Sequence, residues 1–231
     1  MGDTRERILQ TALTLFAQNG YEAVSVSDIA GELGMTKGAL YRHFESKRAI
    51  FDGILARMER QDAQEARDHD LPEEPAETDG PAYEQAALED IVSFSKAMFR
   101  YWTTDPFAAP FRRMLTLEQF RSPEMARLYQ QYLAAGPMGY VTDLFRGLGI
   151  PDPERRAAAF YGPMFLLYSV FDGAEDRGAV TALLDEYLDD AKQELEEKNH
   201  AEHTVGDKRG LSGGGGADPG GVLERVQARG R

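Results

Sequence analysis

The 231-residue chain has no cysteine. That excludes disulfides, thiolate metal sites and a cysteine nucleophile, and it suits a reducing cytoplasm. Strand patterning is nearly missing. Long apolar runs are missing too: the longest charge-free apolar stretch, AAAFYGPMFLLYSVF at 157–171, is interrupted by Gly162-Pro163. It falls short of the roughly 20 residues a membrane span needs, and reads as a buried helix. The opening MGDTRERILQ is charged and has no apolar leader region, so the expected localisation is cytoplasmic. Positive charge is also scarce. Lys and Arg total 26 against 39 Asp and Glu, a formal net charge of -13. The deficit is uneven: residues 1–60 carry eight of each sign, and the rest carries 18 basic and 31 acidic residues. Within residues 34–48, which include the stretch MTKGALYRHFESK, four basic residues stand against Glu45 alone. An acidic body with one small basic, aromatic face implies a division of labour.

What is present is helical periodicity, so the fold class is all-α. Ile8, Leu9, Ala12, Leu15 and Phe16 form one stripe on a first helix ending before Gly20. Ser25 with Asp28 fits a capping box for a helix of barely two turns, stopped at Gly34. Thr36 caps a third short helix and Ser46 a fourth, which carries Ile50, Phe51, Ile54, Leu55 and Met58. Residues 62–84 hold nine acids, one Arg, three prolines and a glycine, and read as a solvated linker or loop. Helices follow near 84–103, apolar all round and hence central, and near 106–120. One opened by Ser122-Pro123 runs to Leu148 with a kink at Gly136-Pro137. One is opened by Asp152-Pro153, and the last is marked by Val180, Leu184, Leu188 and Leu195. The tail at 199–231 is Gly-rich and reads as disordered.

Two short helices around a Gly-containing turn form a helix-turn-helix arrangement. In that geometry the second helix enters the major groove with its N-terminal residues nearest the base edges. Those residues are Thr36, Lys37, Gly38 and Ala39. Thr and Lys can hydrogen-bond bases, and Gly38 gives up about 1 kcal/mol of helix propensity against Ala, which makes sense where something must come close. Ser25, Tyr41, His43 and Lys47 suit phosphate contacts, which position without specifying sequence. Leu40 and Phe44 hold the helix in place.

The stretch TRERILQTALTLFAQNGYEAVSVSDIAGELGMTKGALYRHFESKRAIF closely resembles the N-terminal DNA-binding domain of TetR/AcrR-type transcriptional regulators. The match comprises Leu15-Phe16, Gly20, Ser25, Asp28-Ile29-Ala30, Gly34-Met35-Thr36, Gly38, Leu40-Tyr41, His43-Phe44 and Ser46-Lys47. Ser27 stands where many members carry Arg, which removes one possible DNA contact. The resemblance implies DNA contacts at Ser25, Thr36, Lys37, Gly38, Tyr41, His43 and Lys47, on double-stranded operator DNA. It implies a three-helix DNA-binding domain at 1–50 and a helical ligand-binding and dimerisation domain at 51–198, with the helix at 46–60 as lever between them. It also implies a homodimer formed by the last two helices, here assigned to Phe160, Leu167, Phe171, Leu184, Tyr187, Leu188 and Ala191. The function expected is a repressor released by a small-molecule effector. The alternative is a small-molecule binding or sequestering protein whose DNA-binding domain is vestigial.

An aromatic- and Met-rich set suits an adaptable, largely apolar effector pocket. It comprises Phe94, Met98, Trp102, Phe111, Met114, Phe120, Tyr129, Tyr132, Tyr161, Met164, Phe165 and Tyr168. Taken singly, each of these residues reads as plain core. Arg112, Arg113 and Glu118 read as solvated or surface-paired. No cofactor or metal is expected: His200 and His203 have no third ligand. No catalytic constellation stands out, so an enzyme is not expected.

Overall fold

The computed structural model describes the backbone of residues 2–68 and 81–206, and side chains over 4–61 and 87–197. Residues 1–196 form one compact unit that holds every packing contact given below, and 197–231 form a second. The elements are α1 Gly2–Asn19, α2 Val26–Glu32, α3 Lys37–Tyr41, α4 Lys47–Asp68 and α5 Pro81–Thr104. They continue with α6 Ala108–Glu118, α7 Pro123–Leu133, α8 Ala135–Gly147, α9 Pro153–Gly173 and α10 Arg177–Gly206. No strand occurs among the described residues, and no helix among them is long and apolar enough to cross a membrane.

Three helix boundaries differ from the sequence reading. Helix α4 continues to Asp68 and α5 starts at Pro81, so both enter the stretch read as linker. The segment DAQEARD contains neither Pro nor Gly and is made mostly of good helix formers, and Pro81 sits at the first helical position, where its missing N–H has no partner to lose. Residues 69–80 of that expectation lie outside the described residues. Helix α10 likewise runs past 199 to Gly206. The expected disorder at 207–231, and the side chains of His200 and His203, lie outside what is described.

The N-terminal helices wrap one cluster. Ile8, Ala12, Leu13 and Phe16 of α1 are fully buried against Ile29, Leu40, Ile50, Phe51 and Ile54. At helix α5 the expected faces hold: Leu88, Ile91, Val92, Phe99 and Trp102 are buried, and α5 packs on both α6 and α9. Arg112 corrects the surface expectation, since its side chain is 4% exposed. Its two Nη groups donate to the Asp172 carboxylate at 2.9 and 2.7 Å, and its Nε donates to the Trp102 carbonyl at 2.9 Å. Arg113 Nε adds a bond to Asp172 at 2.9 Å. Partial burial works to raise the Asp172 pKa, but the bonds and charges of Arg112 and then Arg113 outweigh it and hold the carboxyl below its ordinary range.

The α7–α8 break falls at Ala134, with φ −127° and ψ −94°, three residues before the proline expected to cause a kink. Continuing the helix through Pro137 would drive its ring into the carbonyl of Leu133, four residues back. The chain therefore turns before it reaches Pro137. A Cβ at Gly136 would meet the Gln131 carbonyl oxygen at 2.0 Å, so the turn admits only glycine there. The freed Leu133 carbonyl accepts the Tyr161 hydroxyl of α9 at 2.8 Å. Pro163 inside α9 repeats the device. It cannot donate to Ala159, and the Ala159 carbonyl instead accepts the Tyr187 hydroxyl of α10 at 2.6 Å. Each proline thus opens a carbonyl that a tyrosine from the next helix closes.

Two outcomes follow. Tyr161→Phe leaves a buried carbonyl unpaired and should cost about 1–3 kcal/mol by chemical denaturation, whereas Tyr187→Phe, on a more accessible carbonyl, should cost less. Because the folded pKa of Asp172 is depressed, its contribution to stability is present above the unfolded carboxyl pKa and lost as pH falls through the folded value. Asp172→Asn should therefore destabilise strongly at neutral pH, leaving Arg112 buried and uncompensated, and should flatten the acid limb of the stability–pH profile.

Candidate nucleic-acid interface

The α2–α3 unit is built from local signals. Ser25 and Asp28 form the reciprocal capping box: Asp28 N–H donates to Ser25 Oγ at 3.2 Å and Ser25 N–H donates to Asp28 Oδ2 at 2.8 Å. Hydrogen bonding from Ser25, side chain first and backbone second, holds the Asp28 carboxyl below its ordinary range. Gly34, at φ +63°, reverses the chain in the left-handed region that glycine enters freely, and Met35 N–H closes on the Ala30 carbonyl at 2.8 Å. Thr36 Oγ1 then caps α3 by accepting Ala39 N–H at 3.1 Å.

Helix α3 has five residues and cannot stand alone. Leu40 and Phe44 anchor it in the core. Arg5 of α1 clamps its end, with the guanidinium 4.2 Å from the Phe44 ring centre and Nη1 donating to the His43 carbonyl at 2.6 Å. The opposite face carries Thr36, Lys37, Gly38, Tyr41 and Arg42, all exposed. Lys37 Nζ lies 5.7 Å from the Tyr41 ring centre and makes no ion pair among the described residues. A Cβ added at Gly38 would meet nothing within 4 Å, so the protein's own packing does not require glycine there. His43 is half-buried at the rim.

The seven expected contact residues therefore divide. Thr36, Lys37, Gly38 and Tyr41 share one open face, with His43 beside it. Ser25 is engaged in its capping box, and the Asp28 carboxylate occupies the position at that helix end that an anion would take. Lys47 is turned inward: its ammonium donates to the carbonyls of Tyr21 at 2.9 Å and Glu22 at 3.3 Å and lies 4.3 Å from the Tyr21 ring centre. Two of its three donors thus tie α4 to the α1–α2 turn. Arg42 stands on the open side, where sequence reasoning assigned it no role; its place within the basic stretch was the available signal.

The unit is fastened to the remaining helices by polar ties without local sequence signals. Glu118 of α6, 2% exposed and not on the surface as expected, accepts Tyr21 N–H at 3.0 Å and Arg121 Nη1 at 2.9 Å. Gln10 Nε2 donates to the Pro106 carbonyl at 2.5 Å. Arg48 grips Glu124 of α7 with two bonds of 2.7 Å, which hold the Glu124 carboxyl below its ordinary range. Arg57 pairs with Glu6 and lies 3.6 Å from the Phe107 ring centre.

The expected pocket residues gather in the core of α5–α9, with two corrections. Trp102, Phe111 and Tyr132 pack edge to face or tilted, with centroids 5.2–6.5 Å apart. Tyr161 and Tyr129 both meet Phe165, Phe94 meets Tyr140, and Phe99 stacks on Tyr168. Met114 and Met164 are buried and Met98 is partly so. Phe120, however, is 89% exposed, because it follows the end of α6 in the turn to α7. Phe165 is also partly exposed. The expected dimer residues need correction as well. Phe160, Leu167, Phe171, Leu184 and Leu188 are buried in their own chain, the Tyr187 hydroxyl is bound to Ala159, and Ala191 packs on the same core. The outward apolar residues of α9 and α10 are Phe165, Leu166, Val170 and Leu183.

Known proteins share both parts of this arrangement. The family model described as bacterial regulatory proteins, tetR family, matches residues 8–54. The transcriptional repressor KstR2 of Rhodococcus jostii is 47% identical over 51 residues, which are 22% of this chain and 25% of that protein. The chain thus spans about a quarter of the length of that curated relative. Two solved structures extend the likeness in fold. The fatty acid degradation regulator FadR from Bacillus halodurans has a TM-score of 0.56 at 17% identity, covering 85% of this chain and 96% of that one. A transcriptional regulator from Saccharomonospora viridis, solved with choline, has a TM-score of 0.55 at 21% identity, covering 82% and 95%. Residues 8–54, which hold the capped α2–turn–α3 unit, thus carry the N-terminal domain of the tetR family of bacterial regulatory proteins, and the all-helical body shares the fold of the two solved regulators.

Proposed function

We propose that this chain is an operator-binding transcriptional repressor that works as a homodimer and is released by a small molecule. The observation that carries the reading is the open face of α3. Lys37 has no ion pair there among the described residues, and Gly38 is small without an internal reason. Thr36, Lys37 and Gly38 approach base edges, Tyr41 and His43 reach phosphates, and Arg42 adds a cation to the same side. Lys47 and Ser25 act chiefly by holding this surface in shape. The acidic body repels DNA elsewhere, so docking is oriented.

Dimerisation is assigned to the outward face of α9 and α10, where Leu166, Val170 and Leu183 lie exposed. Two copies joined there would present two α3 helices, which must stand about 34–36 Å apart to enter successive major grooves. The buried Met and aromatic set of α5–α9 supports an apolar effector, and the solved choline complex is a similar fold that holds a small molecule. Because α6 is tied to the α1–α2 turn through Glu118, a shift of α6 turns the DNA-binding helices with it. Near-complete release requires an effector preference of about 5.5 kcal/mol for the shifted state.

Gly38→Ala should leave thermal stability unchanged or raise it by up to about 1 kcal/mol, while weakening operator binding in a gel shift with DNA flanking its own gene. Lys37→Ala should retarget or abolish binding in the same assay, and an unchanged footprint would remove its base-reading role. Leu166→Glu should convert a dimer into a 25.7 kDa monomer in sedimentation equilibrium and lower operator affinity with it. A wild-type chain that is monomeric at micromolar concentration would overturn the dimer assignment.

A further inference from the structure

A cleft of about 450 Å³ opens where the end of α5, the start of α6, the end of α9 and the start of α10 meet. Its walls are Pro106, Ala109, Pro110 and Phe171, and its polar rim is Thr103, Thr104, Asp105, Arg113 and Arg177. The size falls in the range of small-molecule sites. It is separate from the aromatic set of the core: none of the twelve residues expected to line an effector pocket borders it.

The polar groups differ in what they have left to give. The threonine hydroxyls donate within their own helix, Thr103 to the Phe99 carbonyl at 2.6 Å and Thr104 to the Arg100 carbonyl at 2.7 Å. Asp105 Oδ1 accepts the N–H groups of Phe107 and Ala108 at 2.8 and 2.7 Å, so its charge is offset by the start of α6. The guanidiniums are less engaged. Arg113 uses Nε on Asp172, and its two Nη groups have no bonding partner among the described residues. Arg177 lies 5.4 Å from the ring centre of Phe171 and has no carboxylate partner among the described residues. Asp172 is already shared by Arg112 and Arg113. Two arginines with spare donors thus face one partly apolar cleft, on a chain whose net charge is -13. Guanidinium forks match carboxylate and phosphate oxygens, and Phe171 with two prolines offers a flat apolar floor.

We propose that this cleft binds a small oxyanion, carboxylate or phosphate, that carries an apolar or aromatic group. Arg113 and Arg177 hold the anion, and the apolar part lies on Phe171, Pro106 and Pro110. Pro106 also accepts the Gln10 bond from α1, so an occupant would sit against the joint between α1 and α6.

The test is direct titration of the full chain without DNA, which keeps it independent of the regulator reading. Calorimetry with benzoate and phenyl phosphate is followed in parallel by the fluorescence of Trp102, the single tryptophan, one residue before Thr103 of the rim. Saturable binding of at least one of the two anions is expected, with neutral benzamide much weaker. Arg177→Ala and Arg113→Gln should each weaken binding about tenfold or more, with the unfolding temperature of Arg177→Ala unchanged. Arg100→Ala, which removes a surface pair with Asp185 outside the cleft, should leave binding as it was. No saturable signal from either anion at millimolar concentration would overturn the proposal. So would benzamide binding as tightly as benzoate, or Arg177→Ala binding as tightly as the parent.

Discussion

The apposition of α1 on α6 is the constraint on which the rest depends. The five-residue helix α3 has no stability of its own; it is held by α1 through Leu40, Phe44 and the Arg5 clamp, and α1 is held by α6. At the edge of that contact the buried Glu118 carboxylate takes the N–H of Tyr21, while the carbonyl of the same residue takes the Lys47 ammonium. A single peptide turn is thus gripped from α6 on one side and α4 on the other. Burying a carboxylate is unfavourable unless it is fully bonded, so the tie is either made with good geometry or strongly resisted. That sharpness is what the proposed effector-driven release would need, because packed interfaces move between discrete arrangements and do not stretch.

The distribution of charge completes the arrangement. Several cations elsewhere are committed: Arg48, Arg57, Arg100, Arg112, Arg146 and Lys192 all sit in ion pairs with Asp or Glu. On the open face of α3 and in the α5–α6–α9–α10 cleft, by contrast, ammonium and guanidinium donors remain unspent among the described residues. Exposed ion pairs contribute little stability individually. Under the proposed operator-binding role, they would also neutralise cations that could attract DNA to the wrong surface.

What could be read from the sequence follows the range of the interactions. Ser25, Thr36, Ser46 and Ser122 cap helices as expected because each signal and its partner lie three residues apart. The helix-turn-helix was legible for the same reason. Arg112 and Glu118 were misplaced on the surface because their partners, Asp172 and Tyr21, are 60 and 97 residues away and no periodicity announces them. Phe160, Leu167, Phe171, Leu184 and Leu188, expected to face a partner, are buried in the chain's own core for another reason. Helix α9 is apolar on most of its circumference, so spacing alone cannot separate the stripe facing the chain's own core from the one left outside. Phe120 was misread because an aromatic after a helix end obeys the turn and not the helical period.

The two prolines that interrupt α7–α8 and α9 bear on how this body can change by descent. Pro163 and Tyr187 act as one structural unit, as do Pro137 and Tyr161: losing the tyrosine alone strands a carbonyl, and losing the proline alone sets a backbone N–H in competition with the hydroxyl. Changing both together restores an ordinary helix. Such positions should therefore drift in pairs, and the join between α9 and α10 should be kept or rewritten as a whole.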